Sequence, residues 1–259
     1  MSAGGSPAAA PDVRLHVHAD AGSASYDASD LFRREVEAAT WVRGRAAVAF
    51  SGGRSPRQFL ERLGGSGFAR WPAWKLMHLF WVDERAVPAS SNDSNYRLVR
   101  ESLLDRVPLT LPQIHRLRGD AADLEAEAAR YARALAAFAR AGVPRLDVVH
   151  LGLGPDGHVA SLFPDSPALA ETSRWVVTAP GPPPYPRRLT LTLPVLNAAR
   201  VVLFYVTGAD KAEAVQRVLE GDEPPQRLPA RGVRPPGGRV HWVLDRAAAS
   251  RLGPALTKP

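Results

Sequence analysis

No cysteine occurs among the 259 residues. Disulfide staples, cysteine-ligated zinc and a thiolate nucleophile are therefore excluded, and a thiol-free chain suits a reducing, cytoplasmic setting. Long apolar runs are missing too. The longest, Val201-Val-Leu-Phe-Tyr-Val206, falls far short of the ~20 residues a membrane-spanning helix needs, so no membrane partner is expected. No basic, apolar leader opens the chain. Met1 to Pro11 is rich in Ala, Gly, Ser and Pro and reads as a disordered tail rather than a signal peptide. Zinc-finger spacing is absent, and no segment reads convincingly as a helix-turn-helix reader, so nucleic acid is not an expected partner. The net charge of +7 comes from scattered arginines rather than a basic run. A surface of that kind attracts anions, phosphorylated metabolites among them.

What is present is ordinary globular material, 45% hydrophobic and 23% charged, enough to build a core without a staple. Val13, Leu15 and Val17 alternate with polar residues as in a strand. A helix is expected from about Ala28 to Arg43, then strands at Ala46–Phe50 and Lys75–Val82. Ser94 to Leu104 reads as a helix with Asn92 or Asp93 near its cap. Leu124, Ala128, Tyr131, Leu135 and Phe138 mark one face of a long amphipathic helix, with Gly142 as its stop. Further strands are expected at Leu146–Leu151, Trp175–Thr178, Leu189–Leu193, Arg200–Thr207 and Val240–Leu244, with a helix at Ala209–Leu219. Strands alternating with helices predict an α/β fold, a mainly parallel sheet with helices on both faces. One domain over residues 12–252, with a C-terminal tail at 253–259, is the simplest division.

Four loops, three of them glycine-bearing, follow the predicted strands. Leu151-Gly-Leu-Gly-Pro-Asp-Gly-His158 turns the chain sharply, because glycine accepts positive φ. It sets Asp156 two residues from His158 at a strand's carboxyl end, where ligands bind in open α/β sheets. The pair is placed either to move a proton or to cap a helix. A second loop, Phe50-Ser-Gly-Gly-Arg-Ser-Pro56, leaves a strand and opens a helix. Gly52 and Gly53 let a ligand approach the backbone, Arg54 adds charge, Ser55 can N-cap the helix, and the free N–H groups form an anion site. The alternative is an ordinary glycine-rich turn. A third, Trp81-Val-Asp-Glu-Arg-Ala-Val-Pro88, carries Asp83, Glu84 and Arg85 to the same edge or exposes them as a solvated charge cluster. Asn95 follows. A fourth, Thr207-Gly-Ala-Asp-Lys211, puts Lys211 in a helix's first turn, against the helix dipole, which favours an anion-binding role. Of Arg187 and Arg188, strand alternation lets only one face the site easily.

These segments resemble, in order, those of the 6-phosphogluconolactonases. Ser51-Gly-Gly-Arg-Ser-Pro56, Val82 to Pro88, Ser94-Asn-Tyr96, Leu151 to Pro164, Arg188-Leu-Thr-Leu-Thr-Leu-Pro194, Gly208-Ala-Asp-Lys211 and Trp242 to Ala248 carry the resemblance over roughly Val13 to Ala248. Two features depart from the family pattern: Arg54-Ser55 replaces its usual Ser-Thr, and the Pro180–Pro186 loop is unusually proline-rich. The related glucosamine-6-phosphate deaminases share the Asp-Gly-His turn but carry a proton-transferring Glu where this chain has Phe163.

The resemblance implies a modified Rossmann-like α/β domain with no metal and no organic cofactor. The implied substrate is a small sugar-phosphate lactone, 6-phospho-D-glucono-1,5-lactone. His158 would act as general base on water, and Asp156 and Asp83 would each either orient it or bind substrate hydroxyls. Gly52, Gly53, Arg54, Ser55, Arg85, Asn95, Arg188 and Lys211 would complete the phosphate and substrate site. Ser161 lacks the Gly-x-Ser-x-Gly context of a nucleophile. Other readings are a non-catalytic sugar-phosphate sensor or a deaminase-like enzyme. The chain is expected to act as a monomer or a homodimer. His16 and His18 share a strand face without a third metal ligand, and His150 reads as a hydrogen-bonded core residue.

Overall fold

The computed structural model describes residues 9–53, 56–140 and 142–257. Its first half runs β1 (Asp12–His18), α1 (Ala21–Arg43), β2 (Ala46–Phe50), α2 (Pro56–Leu63), β3 (Met77–Trp81), β4 (Asp83–Arg85), α3 (Asn95–Ser102) and α4 (Leu124–Ala136). The second half continues β5 (Ala139–Arg140), β6 (Val143–Pro144), β7 (Val148–Leu151), β8 (Val176–Pro180), β9 (Arg187–Leu191), α5 (Leu193–Ala198), β10 (Val201–Val206), α6 (Ala212–Glu220), β11 (Arg239–Asp245) and α7 (Pro254–Thr257).

Six strands form one parallel sheet in the order β1-β11-β10-β7-β2-β3. Strands β2, β7 and β10 are buried along their whole length. This is why they read as unbroken apolar runs instead of alternating ones. Helix α1 lies across β1, β11, β10, β7 and β2, burying Ala24, Ala28, Phe32, Val36 and Ala39. It begins earlier than expected because Asp20 caps it: the Asp20 carboxylate accepts Ser23 N–H at 2.7 Å, and Ser23 Oγ accepts Asp20 N–H at 3.2 Å. Gly44, at φ +70°, ends it in the left-handed geometry that glycine adopts without strain.

The strand order reverses between β2 and β7. From β2 the chain moves outward to β3, whereas from β7 it moves the other way to β10. The loops after β2 and β7 therefore splay apart at a topological switch point, the place where open α/β sheets bind ligands.

Several local expectations are corrected. The Trp81–Pro88 segment is not wholly a loop: β4 pairs antiparallel with β9, and β9 with β8, in a small second sheet. That pairing joins segments far apart in sequence, which local patterning does not register. Gly142 does not stop α4. The helix ends at Ala136, and Gly142 turns the β5–β6 hairpin at φ +85°. Helix α3 is capped by Ser94, whose hydroxyl accepts Arg97 N–H at 3.2 Å, rather than by Asn92 or Asp93. His150 is fully buried, yet neither ring nitrogen has a hydrogen-bond partner. It stacks on Phe59 at 4.9 Å, and burial pulls its pKa down to about 3.

Of the assigned N-terminal tail, residues 1–8 lie outside the described residues, and Ala9 accepts a hydrogen bond from Gly237 N–H. The assigned C-terminal tail contains the short helix α7. Among the described residues, no helix is long and apolar enough to cross a membrane.

Candidate active site

A cleft of about 510 Å³ opens at the switch point and gathers all the predicted loops. Gly52 and Gly53 line it, as do Asp83, Arg85, Asn95, His158, Arg188 and Lys211. Arg54 and Ser55 lie outside the described residues. Arg57, in the first turn of α2, also lines the cleft and was not singled out in the sequence. The signal was available: like Lys211, it is a cation placed against a helix dipole just past a glycine-bearing turn.

The glycine loop is shaped by what touches it. A Cβ on Gly52 would lie 1.9 Å from Asn95 Oδ1, so the Asn95 amide occupies the space a side chain would take. Gly53 sits at φ +100°. Asn95 in turn donates from Nδ2 to the Asp83 carbonyl at 3.0 Å and to Asp83 Oδ1 at 3.2 Å. The other Asp83 oxygen accepts the Ser161 hydroxyl at 2.7 Å. Asp83 is therefore a buried carboxylate held by neutral donors, and it makes no hydrogen bond or ion pair with His158. Ser161 is fully buried and donates its hydroxyl to Asp83.

Glu84 points the other way along β4 and is not a solvated charge. It is 2% exposed. It accepts Arg85 N–H and Asn95 N–H on Oε1 and Tyr96 N–H on Oε2, each at 2.8 Å, plus the Ser94 hydroxyl at 3.0 Å. Burial pushes its carboxyl up to about 7 against the pull of these donors. Its structural effect is to bind the start of α3 to β4, which fixes Asn95 beside Gly52.

The turn after β7 carries the Asp–His pair. No helix begins at His158, so the capping alternative falls away. Gly154 N–H donates to the His158 carbonyl and Gly157 N–H to the Gly154 carbonyl, both at 2.9 Å. Gly157 adopts φ +83°. Within this turn His158 Nδ1 lies 2.6 Å from Asp156 Oδ1, which also accepts His158 N–H at 3.2 Å. Burial alone would raise the Asp156 carboxyl; the hydrogen bond and charge of His158 outweigh it and hold it below the usual carboxylate value. An ionised Asp156 fixes the tautomer with the proton on Nδ1 and leaves Nε2 as the basic nitrogen. His158 Nε2 has no hydrogen-bond partner among the described residues, and the ring lines the cleft. Phe163 packs on that ring at 4.4 Å.

Two arginines face each other across the β4–β9 ladder, Arg85 opposite Arg188. Like charges directly opposite on a sheet repel, and the arrangement is suited to an anion between them. Arg188 is 8% exposed, its Nε donates to the Tyr185 carbonyl at 2.9 Å, and burial holds its guanidinium below the usual arginine value. Arg187 is exposed and does not line the cleft, whereas the buried Arg188 does, so strand alternation selects Arg188. Lys211 is the residue before α6, closing a short 3-10 turn, with a mostly buried side chain whose Nζ lies 3.5 Å from Asp210. The proline-rich loop places Pro182 on the cleft and is tied across it by the Tyr185 hydroxyl, which donates to Asp93.

His16 and His18 converge on Asp27 Oδ2 at 3.1 and 3.0 Å. Among the described residues no His, Asp or Glu group has the arrangement to hold a metal ion.

Fold and site together define an α/β protein of the kind that handles small anionic substrates, with a cationic cleft at its switch point and an oriented histidine on the wall. The chain belongs to the glucosamine-6-phosphate isomerases/6-phosphogluconolactonase family, which it matches over residues 19–242. It is 39% identical over 255 residues to a 6-phosphogluconolactonase of Streptomyces coelicolor, covering 95% of this chain and 97% of that protein. It is 41% identical over 226 residues to a 6-phosphogluconolactonase of Mycobacterium tuberculosis, covering 84% and 89%. The solved 6-phosphogluconolactonase of Trypanosoma brucei superposes with a TM-score of 0.79 at 30% identity, over 94% of this chain and 99% of that one.

Proposed function

We propose that this protein hydrolyses 6-phospho-D-glucono-1,5-lactone to 6-phospho-D-gluconate in the pentose phosphate pathway. The observation that carries the reading is His158 itself, its Nδ1 tied to Asp156 and its Nε2 free in a cationic cleft. The similarity to named 6-phosphogluconolactonases supports the same substrate.

In the proposed reaction, His158 Nε2 takes a proton from water as the water oxygen bonds to the lactone C1 carbonyl. Asp156 balances the imidazolium that forms. Collapse of the tetrahedral intermediate breaks the bond between C1 and the ring oxygen, and His158 returns the proton to that oxygen. Water is thereby divided between the new carboxyl group and the new hydroxyl. Positioned acid–base catalysis contributes on the order of 10²–10⁴-fold, enough for an ester already activated in a ring. Arg85, Arg188, Lys211 and the added Arg57 hold the phosphate with the Gly52 and Gly53 backbone, and Asp83 and Asn95 bind sugar hydroxyls. Phosphate anchoring supplies the orientation. Phe163 presents a ring where a deaminase-like proton relay would need a carboxylate.

The reading takes residues 12–252 as one catalytic domain working in the cytoplasm on a small molecule, without nucleic acid. Its test is hydrolysis of freshly generated lactone above the spontaneous rate, with unphosphorylated gluconolactone as control. Fast turnover of the phosphorylated lactone, lost in His158→Ala, is the expected result. No acceleration by the folded protein would overturn the reading.

A further inference from the structure

At the opposite end of the sheet, a hollow of about 260 Å³ is lined by Arg43, Arg145, Arg200 and Arg239 together with Glu35 and Asp147. These residues cluster because of where the elements end. Arg43 closes α1, Arg145 and Asp147 precede β7, Arg200 precedes β10, and Arg239 starts β11. The hollow therefore lies at the amino ends of these strands, whereas the catalytic cleft lies at the carboxyl ends of β2 and β7.

The charges there do not close among themselves. Asp147 is buried and receives Ala47 N–H on Oδ2 at 2.8 Å. Its Oδ1 is shared by Arg43 Nη2 at 2.7 Å and Arg200 Nε at 3.2 Å. Glu35 is taken by Arg239 Nη2 at 2.5 Å. Arg145 has no ion-pair or side-chain hydrogen-bond partner among the described residues. Four guanidinium groups thus face two carboxylates. Arg43 Nε, Arg200 Nε and Asp147 Oδ1 are all shielded from solvent and make no aligned hydrogen bond, so the Arg–Asp contacts here are ion pairs that leave both Nε donors unsatisfied, and an unsatisfied buried donor is costly. Burial holds the Arg200 guanidinium below the usual arginine value, and repulsion from Arg43 and Arg145 adds to it. An anion with several acceptor oxygens would offset the surplus positive charge and give the two Nε donors partners.

We propose that this hollow is a second anion site and binds a phosphate dianion, free or as the headgroup of a phosphomonoester. Arginine forks match phosphate oxygens in pairs. The hollow is smaller than the ~300–1,000 Å³ of pockets that enclose whole organic ligands, so it takes the phosphoryl group and leaves the remainder outside. The site is independent of the catalytic reading.

The test is calorimetric titration of the full-length protein with inorganic phosphate at low ionic strength. To remove the contribution of the catalytic cleft, the background is the double variant Arg188→Ala, Lys211→Ala. That variant is expected to bind one phosphate still, and adding Arg145→Ala is expected to weaken this binding roughly tenfold or more. Arg145→Ala orphans no carboxylate, so it is expected to fold and, alone, to leave lactone turnover unchanged. Arg200→Lys serves as a second variant that keeps the charge but loses the fork, and it too should weaken binding. Repeating the titration with glucose 6-phosphate separates the sources: tighter binding points to a phosphomonoester, equal binding to the free ion, and both support the site. No phosphate bound in the cleft variant, or binding indifferent to Arg145→Ala, would overturn the proposal. Neither result bears on lactone hydrolysis, which is read separately.

Discussion

Gly154 lies directly against the His158 ring: a Cβ at Gly154 would stand 2.0 Å from His158 Nδ1 and 2.6 Å from Asp156 Oδ1. The Asp–His pair exists in this geometry only because the residue two before Asp156 has no side chain. Gly154 has no positive φ, so alanine fits its backbone and the conflict is purely one of space. Gly154→Ala is expected to stay folded while kcat for the lactone falls roughly 10²-fold, the effect of displacing a reacting group by about an ångström. Steady-state kinetics beside a thermal melt separate the two. Unchanged kcat would show that the pair does not need its present position.

Asp156→Asn keeps an acceptor oxygen near Nδ1 but removes the charge that balances the imidazolium. A fall in kcat on the order of 10²-fold is expected, with a much smaller change in KM. The Asp156 carboxyl is already held below its usual value, so it is ionised across any neutral or mildly acidic assay. The acid limb of the wild-type profile of kcat/KM therefore does not belong to Asp156, and it should persist in the variant. Loss of that limb in Asp156→Asn would assign the titration to Asp156 instead.

The neighbouring arginines should separate cleanly. Arg188→Lys keeps a charge in the cleft but loses the planar fork, and KM for the phosphorylated lactone is expected to rise roughly tenfold. Arg187→Ala, on the exposed side of the strand, should leave KM and kcat as they are. Comparing both variants on phosphorylated and unphosphorylated lactone reads the contact with phosphate directly. Equal effects from the two substitutions would contradict the strand alternation that selects Arg188.

His150 couples stability to acid. Its pKa of about 3 in the folded chain lies below the ~6.5 of an unfolded histidine, so the fold favours the neutral ring. This contribution is complete above pH ~6.5 and is lost as pH falls toward the folded value. The loss amounts to about 2 kcal/mol at pH 5. His150→Phe should keep the stack on Phe59 and remove this part of the acid sensitivity. Urea midpoints at pH 7.5 and pH 5 would test it: the gap between them should narrow in the variant. An unchanged gap would place the acid sensitivity elsewhere.

The parts of the site that were legible in the sequence are those carried by single loops. Gly52, Gly53, Asp83, Arg85, His158 and Lys211 each stand beside a strand end that patterning locates, Asn95 stands at a helix start that it locates, and the structure brings them to one cleft. Arg57 was passed over although its place in a helix's first turn carries the same signal as that of Lys211. Strand β4 escaped because its partner β9 lies far along the chain. The orphaned nitrogens of His150 escaped because an apolar strand pattern shows that a residue is buried but not what it touches.

Residue chemistry at the strand ends was settled along the chain: which turns hold glycine, which loop holds the histidine, and that Phe163 stands where a carboxylate would change the reaction. Those are properties of short, contiguous segments, read through glycine's freedom and the periods of strand and helix. Pairing was settled only in three dimensions. Asp156, rather than Asp83, takes His158, Asp83 goes to Ser161 and Asn95, and Arg188, rather than Arg187, turns inward. Each of these choices depends on strand register and on contacts between segments distant in sequence. Charges and hydrogen bonds act over a few ångströms of space, whatever the distance along the chain.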